Sequence, residues 1–336
     1  MKLLRYILFP IVPFFYLATW LRNKLYDLGV KSSSSFEVPV ICVGNLSVGG
    51  TGKTPMIEHL IRLLKSDYKM ATLSRGYKRK SKGFVLADNT TNADSIGDEP
   101  YQFHKKFPDV MVSVDVNRRN GIGKLLENEP KPEVILLDDA FQHRKVKAGF
   151  NILLTSYDDL YTMDMVLPTG NLREPKIGAK RADVLMVTKC PNSISESNKQ
   201  DIIGKLKPLD HQHVFFSSIN YSETIKNSIE EKTLYDIKNT SFTLVTGIAN
   251  PKPLVEFLNA EGYKFEHLNF KDHHEFSDKD IEHLKKKKLI ITTEKDFMRL
   301  EASFKNSNQI FYLAINTIVD KSNEFDKLIT DFISSF

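Results

Sequence analysis

The run Ser47-Val48-Gly49-Gly50-Thr51-Gly52-Lys53-Thr54 gathers the residue types that hold a polyphosphate. Glycines let backbone N–H groups turn inward, a lysine reaches the outer phosphates, and a threonine hydroxyl ligates Mg²⁺. The strict pattern has glycine at position 47, where this chain has Ser47. A second group is Val134-Ile135-Leu136-Leu137-Asp138-Asp139, four apolar residues ending in two carboxylates. A buried parallel strand delivers an aspartate to Mg²⁺ in this way. Three further stretches carry reactive or charged side chains. Arg75 to Lys80 is a basic loop, read either as solvated or as holding phosphate. Asp98 stands where a helix N-cap belongs, so capping is one account of it. Asp272-His273-His274 lies between a strand and a helix, where structural and chemical roles are both open. Together these residues point to a site for a nucleoside triphosphate and Mg²⁺.

The elements that position them follow from hydrophobic periodicity. Val38–Val43 reads as a buried strand before the glycine-rich turn, and Met56–Leu64 as a helix after it. Further strands are read at 69–74, 110–114, 134–139, 151–155 and 184–188, with helices between them. Asp98 and Glu99 open the helical run Tyr101–Phe107. This alternation predicts an α/β fold: a P-loop kinase-like α/β/α sandwich with a mostly parallel sheet. Residues 191–240 read as a looser region, with Val214-Phe215-Phe216 as a connecting strand. The alternation resumes from Ser241 as a second, smaller α/β domain. The expected organisation is a membrane-associated helix at 1–24, a nucleotide-binding domain at 25–218, a linker at 219–240 and a C-terminal α/β domain at 241–336.

Composition sets the outer bounds. The 336 residues are 41% hydrophobic and 26% charged, which is a globular balance. A net charge of +5 is too mild to argue for nucleic acid. Cys42 and Cys190, the only cysteines, make no disulfide framework and no paired zinc motif. The N-terminal apolar stretch Tyr6–Leu21 is shorter than the ~20 residues a spanning helix needs, and Pro10 and Pro13 interrupt it. Lys2, Arg5, Arg22 and Lys24 bracket it, as in a helix lying in a membrane interface. A core helix and an uncleaved anchor are the alternatives. Lys285–Lys288 reads as a solvated helix end or as a contact to anionic lipid.

The order of motifs resembles one family, the tetraacyldisaccharide 4'-kinases of lipid A (lipopolysaccharide) biosynthesis. The residues that carry the resemblance begin with Val43-Gly44-Asn45 through Pro55, Ser74-Arg75-Gly76-Tyr77 and Gly97-Asp98-Glu99-Pro100. They continue through Asp138 to His143, Leu167-Pro168 to Gly170, and Leu172-Arg173-Glu174-Pro175. In the second domain they are Thr246 to Pro251, Asp272-His273 and Thr293-Glu294-Lys295-Asp296. The resemblance implies a lipid kinase that moves the γ-phosphate of ATP to the 4'-hydroxyl of tetraacyldisaccharide 1-phosphate, giving lipid IVA. It also implies two α/β/α domains with the nucleotide between them. The expected location is the cytoplasmic face of the bacterial inner membrane.

By matching positions, the resemblance puts Ser47, Val48, Gly49, Gly50, Thr51, Gly52, Lys53 and Thr54 around ATP, with Lys53 on its outer phosphates. It puts Thr54, Asp138, Asp139 and Glu99 around Mg²⁺. Asp98 matches the catalytic base and His273 its partner across the domain gap. Arg75, Arg118, Gln142, His143, Asn171 and Arg173 become contacts to substrate or phosphate. Two departures bear on these roles: Asn117 precedes Arg118 where the family has aspartate, and Thr169 and Asn171 replace its alanine and proline.

Rival readings are a P-loop ATPase, a GTPase switch or a metallochaperone at the membrane. The partitioning ATPases carry a signature lysine where this chain has Val48. Thr188-Lys189-Cys190-Pro191 begins like a guanine-reading loop but has Pro191 where that loop needs aspartate. A metal-dependent phosphoesterase would need more Asp and His clusters than Asp272-His273-His274 supplies.

Overall fold

The computed structural model describes residues 5–305 and 307–336; the predicted flanking charge Lys2 lies outside the described residues. The large domain is built on eight strands: β1 (Val40–Asn45), β2 (Met70–Ser74), β3 (Val85–Leu86), β4 (Met111–Val114), β5 (Val134–Asp138), β6 (Phe150–Ser156), β7 (Val184–Thr188) and β8 (His213–Lys226). They stand in the order β3-β4-β2-β5-β1-β6-β7-β8. All neighbouring pairs are parallel except β3 with β4. β1 is central, pairs with β5 and β6, and is buried along its whole length. The glycine-rich turn leaves its carboxyl end, and β5 ends in Asp138 beside it. Sites of parallel α/β sheets lie at that edge.

Each sheet face carries its own core. On one face the helix Lys53–Leu64 buries Met56, Ile57, Leu60 and Ile61 against Ile41, Val43, Leu136 and Ile152. On the other, Leu46, Leu137, Phe141, Leu153 and Leu172 pack with Val12 and Phe15 of the N-terminal helix Val12–Asp27. A short 3₁₀ turn, Tyr6–Ile11, precedes that helix. Only one side of this segment finds the core: Ile7, Phe14 and Leu17 are 73%, 75% and 57% exposed. Among the described residues no helix is long and apolar enough to cross a membrane.

The small domain contains β9 (Glu231–Thr233), β10 (Phe242–Thr246), β11 (Phe265–Asn269), β12 (Ile290–Thr293) and β13 (Ile310–Val319). Its order β8-β13-β12-β10-β11 makes one continuous sheet with the large domain. β8 is the bridge. Its first residues pair parallel with β7, from His213 opposite Val184 to Phe216 opposite Val187. The remainder pairs antiparallel with β13, from Ser217 opposite Val319 to Lys226 opposite Tyr312. The register of that ribbon slips between Leu313 and Ile315.

Three features differ from the sequence expectation. The looser region 191–240 holds the helix Glu196–Leu206 and the 14-residue β8. That helix buries only Ile202 and Leu206, so its polar surface hides the periodicity. Residues 90–97 read as a polar loop from sequence, but they include a short helix, Ala93–Ile96, closed by a capping box at Asn92. The boundary at 241–336 also fails at its far end, because the helix Ser322–Ser334 returns to the large domain. Phe325, Ile329 and Ile333 join the core beneath the helix Lys53–Leu64. The Phe325 ring lies against Phe215 and His59.

Candidate functional site

The helix Lys53–Leu64 begins at Gly52, whose φ of +86° places it in the left-handed region, where a side chain is strained. Gly49 has φ +120°. Ser47 is not among the positive-φ residues, so the backbone there does not require the glycine of the strict pattern. Ser47 bridges Leu172, and the amide of Val48 donates to the Asn171 carbonyl, 2.8 Å. The turn is braced from β7: the Thr188 hydroxyl donates to the Thr51 carbonyl, 2.8 Å, and Lys189 Nζ to the Gly50 carbonyl, 2.5 Å.

Lys53 Nζ lies 3.7 Å from Asp139 Oδ1 and 3.4 Å from Asn45 Oδ1. Arg173 grips the same carboxylate through both oxygens, 2.8 and 3.1 Å, and also donates to Asn45. Asp139 has φ +47°, an uncommon conformation held by this packing. Burial pushes the Asp139 carboxyl up, but Lys53 and Arg173 outweigh it and hold it below its ordinary value. Asp138 is different. Burial, then the neighbouring Asp139 charge, pushes it up to about 6. Its Oδ2 accepts from Ser74 Oγ at 3.2 Å, while Oδ1 is buried without a partner. An orphaned carboxylate oxygen beside a second carboxylate suits a hard cation. Two protein carboxylates with Thr54 fit Mg²⁺, which keeps waters and phosphate oxygens as its other ligands. Among the described residues there is no cluster of three or more acidic, histidine or cysteine groups to cage a metal by itself.

Beside this centre Arg118 is 3% exposed and donates to the carbonyls of Asp115 and Asp138, with its Nε unpartnered. Burial, then the charge of Arg118, lowers His143 to about 4, and its Nε2 is also buried without a partner. Arg75 stands exposed at the end of β2. Gln142 donates to the Asn45 carbonyl and to Glu174. Asn171 is taken up differently from the expectation of a substrate contact: its Oδ1 accepts from Arg5 at 2.7 Å, tying the N-terminal segment to this loop. Sequence reasoning assigned no role to Glu174, which is fully buried and joins Asn23, Gln142 and Arg181.

A second cluster spans the domain gap. Gly97, with φ +92°, starts the helix Asp98–Lys106, and a Cβ there would meet the Tyr77 carbonyl at 2.9 Å. Asp98 makes no capping bond. Its Oδ2 instead accepts from Arg299 Nη2 at 2.6 Å and Nε at 2.9 Å, with His273 Nδ1 at 3.4 Å. Burial acts upward on this carboxyl, yet His273 and Arg299 prevail and bring it to about 2. His273 has φ +55°, donates its amide to the Gly247 carbonyl, and has the Tyr77 ring at its edge. Glu99 pairs with Lys295 at 2.7 Å, and its charge acts upward on Asp138. Lys295 and Arg299 had no assigned part in the sequence reading; a TEKD motif at a strand end was the only signal.

The cleft beyond Asp98 and His273 has a volume of about 870 Å³ and is bordered by Tyr77, Lys78, Tyr101, Phe276 and Arg299. The arrangement can hold a polyphosphate and a divalent cation on the large domain and present an ionised carboxylate where the domains meet.

The family model for tetraacyldisaccharide-1-P 4'-kinase matches residues 4–334 of the chain. A Flavobacterium johnsoniae protein named tetraacyldisaccharide 4'-kinase is 55% identical, over 99% of this chain and 98% of its own. A Bacteroides thetaiotaomicron protein of the same name is 48% identical, over 87% and 82%. Among solved structures, the fold is similar to "apo" form LpxK from Aquifex aeolicus in complex with ATP. That similarity has a TM-score of 0.81 and 31% identity, over 98% of this chain and 99% of that one. The ATPase, GTPase-switch and metallochaperone readings find no support in these comparisons.

Proposed function

The chain belongs to the tetraacyldisaccharide-1-phosphate 4'-kinase family, and we propose from that premise how its two clusters divide one phosphoryl transfer. It is an ATP-dependent kinase of lipid A synthesis, acting on the 4'-hydroxyl of an acylated disaccharide phosphate to give lipid IVA. The turn Ser47–Thr54 cradles the triphosphate, with Lys53 on its outer phosphates. Thr54, Asp138 and Asp139 would hold Mg²⁺, which when bound would offset charge on the transferred phosphoryl group, and Glu99 adds its charge beside Asp138. Arg173 keeps Asp139 ionised and turned toward Lys53. Asp98 accepts the proton of the acceptor hydroxyl, and His273 orients it from the small domain, so transfer requires the domains to meet. Arg75, exposed at the end of β2 beside the buried Arg118, is the cation available to the substrate's anionic groups.

The observation that carries this reading is the Asp98–His273 pair, formed from two domains beside Glu99, whose charge raises Asp138. The exposed apolar side of residues 6–21, with Arg5, Arg22 and Lys24 beside it, supports docking on anionic lipid at the cytoplasmic face of the inner membrane.

The test is label transfer from γ-labelled ATP to tetraacyldisaccharide 1-phosphate in mixed micelles with Mg²⁺. Lys53→Ala, Asp98→Ala and His273→Ala should each lose about 100-fold or more in turnover with unchanged circular dichroism. Near-normal turnover in His273→Ala would remove the cross-domain pair from the reaction. ATP hydrolysis with no labelled lipid in the wild type would remove the kinase reading.

A further inference from the structure

We propose that Lys295 and Arg299 are positioning residues for the transfer, Lys295 fixing the ring of His273 and Arg299 fixing the carboxylate of Asp98. The inference rests on the reading of Asp98 and His273 as the reacting pair, and it names what holds that pair in register. The two cations lie four apart on the helix Glu294–Leu300 and therefore share one face of it. That face meets Asp98 and Glu99 at the start of the helix Asp98–Lys106 in the other domain.

The ring of His273 is held at both nitrogens. Lys295 Nζ lies 3.1 Å from Nε2, and Arg299 Nη2 lies 3.2 Å from Nδ1, which also faces Asp98 Oδ2 at 3.4 Å. Lys295 thus fixes the ring from the nitrogen farther from Asp98, while Arg299 Nη2 bridges Nδ1 and the carboxylate.

Arg299 works on the carboxylate itself. Its Nε and Nη2 both reach Asp98 Oδ2, while Nη1 is held at 3.0 Å by Asp296 Oδ1. Asp296 is fully buried and fixed in turn by the Gly247 amide and the Thr293 hydroxyl. The guanidinium is therefore anchored from behind before it meets Asp98. All of these contacts fall on Oδ2, which leaves Oδ1 for the proton of the acceptor. Large-domain carboxylates and small-domain cations complete the arrangement only when the domains meet.

The experiment compares Lys295→Met, Arg299→Ala and Lys105→Met in the full chain at saturating Mg²⁺. Lys105 pairs with Glu301 across the same gap, 3.9 Å, without touching His273 or Asp98, and controls for weakened domain contact. Lys295→Met and Arg299→Ala should lower kcat by about 100-fold with little change in KM for ATP. Lys105→Met should stay within about twofold of wild type. Added guanidinium should restore part of the Arg299→Ala turnover. The ring resonances of His273, assigned by difference against His273→Gln, should shift in Lys295→Met but not in Lys105→Met. Turnover losses no larger than that of Lys105→Met, or unshifted His273 resonances, would overturn the proposal. If Asp98→Ala and His273→Ala themselves keep turnover, the reading of the pair fails instead.

Discussion

Two adjacent carboxylates at the end of β5 are tuned in opposite directions. Asp139 meets Lys53 and Arg173 and is held low, whereas Asp138 is pushed up to about 6 by burial and by Asp139. The sign of the consequence is fixed. A carboxyl whose folded pKa exceeds its unfolded value favours the folded state at low pH, and that advantage is lost as pH rises through the folded pKa. In protein free of metal and nucleotide, Asp138→Asn should therefore match wild type near about pH 4 and become the more stable protein above about pH 6. A gain in Tm of several degrees near about pH 8 is expected in thermal melts. The substitution should abolish turnover while it stabilises, because the charge that costs stability is the one proposed to hold the cation. No Tm gain at the higher pH would show that Asp138 is ionised without penalty.

At the scale of elements, the N-terminal segment is the one whose burial is most uneven. Val12 and Phe15 serve the core, and Arg5 is bound by Asn171, so the segment is fixed to the protein on one side. Phe14→Glu with Leu17→Glu alters only the exposed side and should leave stability near wild type. Sedimentation with anionic phospholipid vesicles should fall about tenfold or more, since two apolar side chains offered to the bilayer are exchanged for charges. Retained sedimentation would mean that another surface docks. Much else at this scale was legible. Continuous apolar runs announced β1, β5 and β7, because strands buried on both faces tolerate little else. The glycine turn and Asp138-Asp139 marked one half of the candidate site, being contiguous in sequence. What escaped was set by distant packing. The second half of β8 is partly exposed on both sides and shows no alternation. Arg299 gains its meaning only from Asp98, far away in the chain, and Asp98 looked like a cap until its carboxylate was seen turned across the gap.

The whole molecule is two bodies held by one sheet and a row of crossing charges. Lys106 sits between Glu58 at 2.7 Å and Glu294 at 2.8 Å, joining the P-loop helix to the small domain. Burial and the charge of Glu58 push Glu294 up to about 7. Lys106→Met would leave two buried carboxylates facing each other and should cost about 3 kcal/mol in denaturant unfolding. The loss should be greater above pH 7, where Glu294 is ionised, than below it. An equal cost at both would mean that the carboxylates share a proton throughout. The return of the helix Ser322–Ser334 has a further consequence, for the order in which the chain is made. Every strand of the small domain emerges from the ribosome before Phe325, Ile329 and Ile333, which fill the floor under the P-loop helix. The domain begun first is thus the domain finished last. During synthesis the nucleotide-binding half stays incompletely packed until that last helix is made.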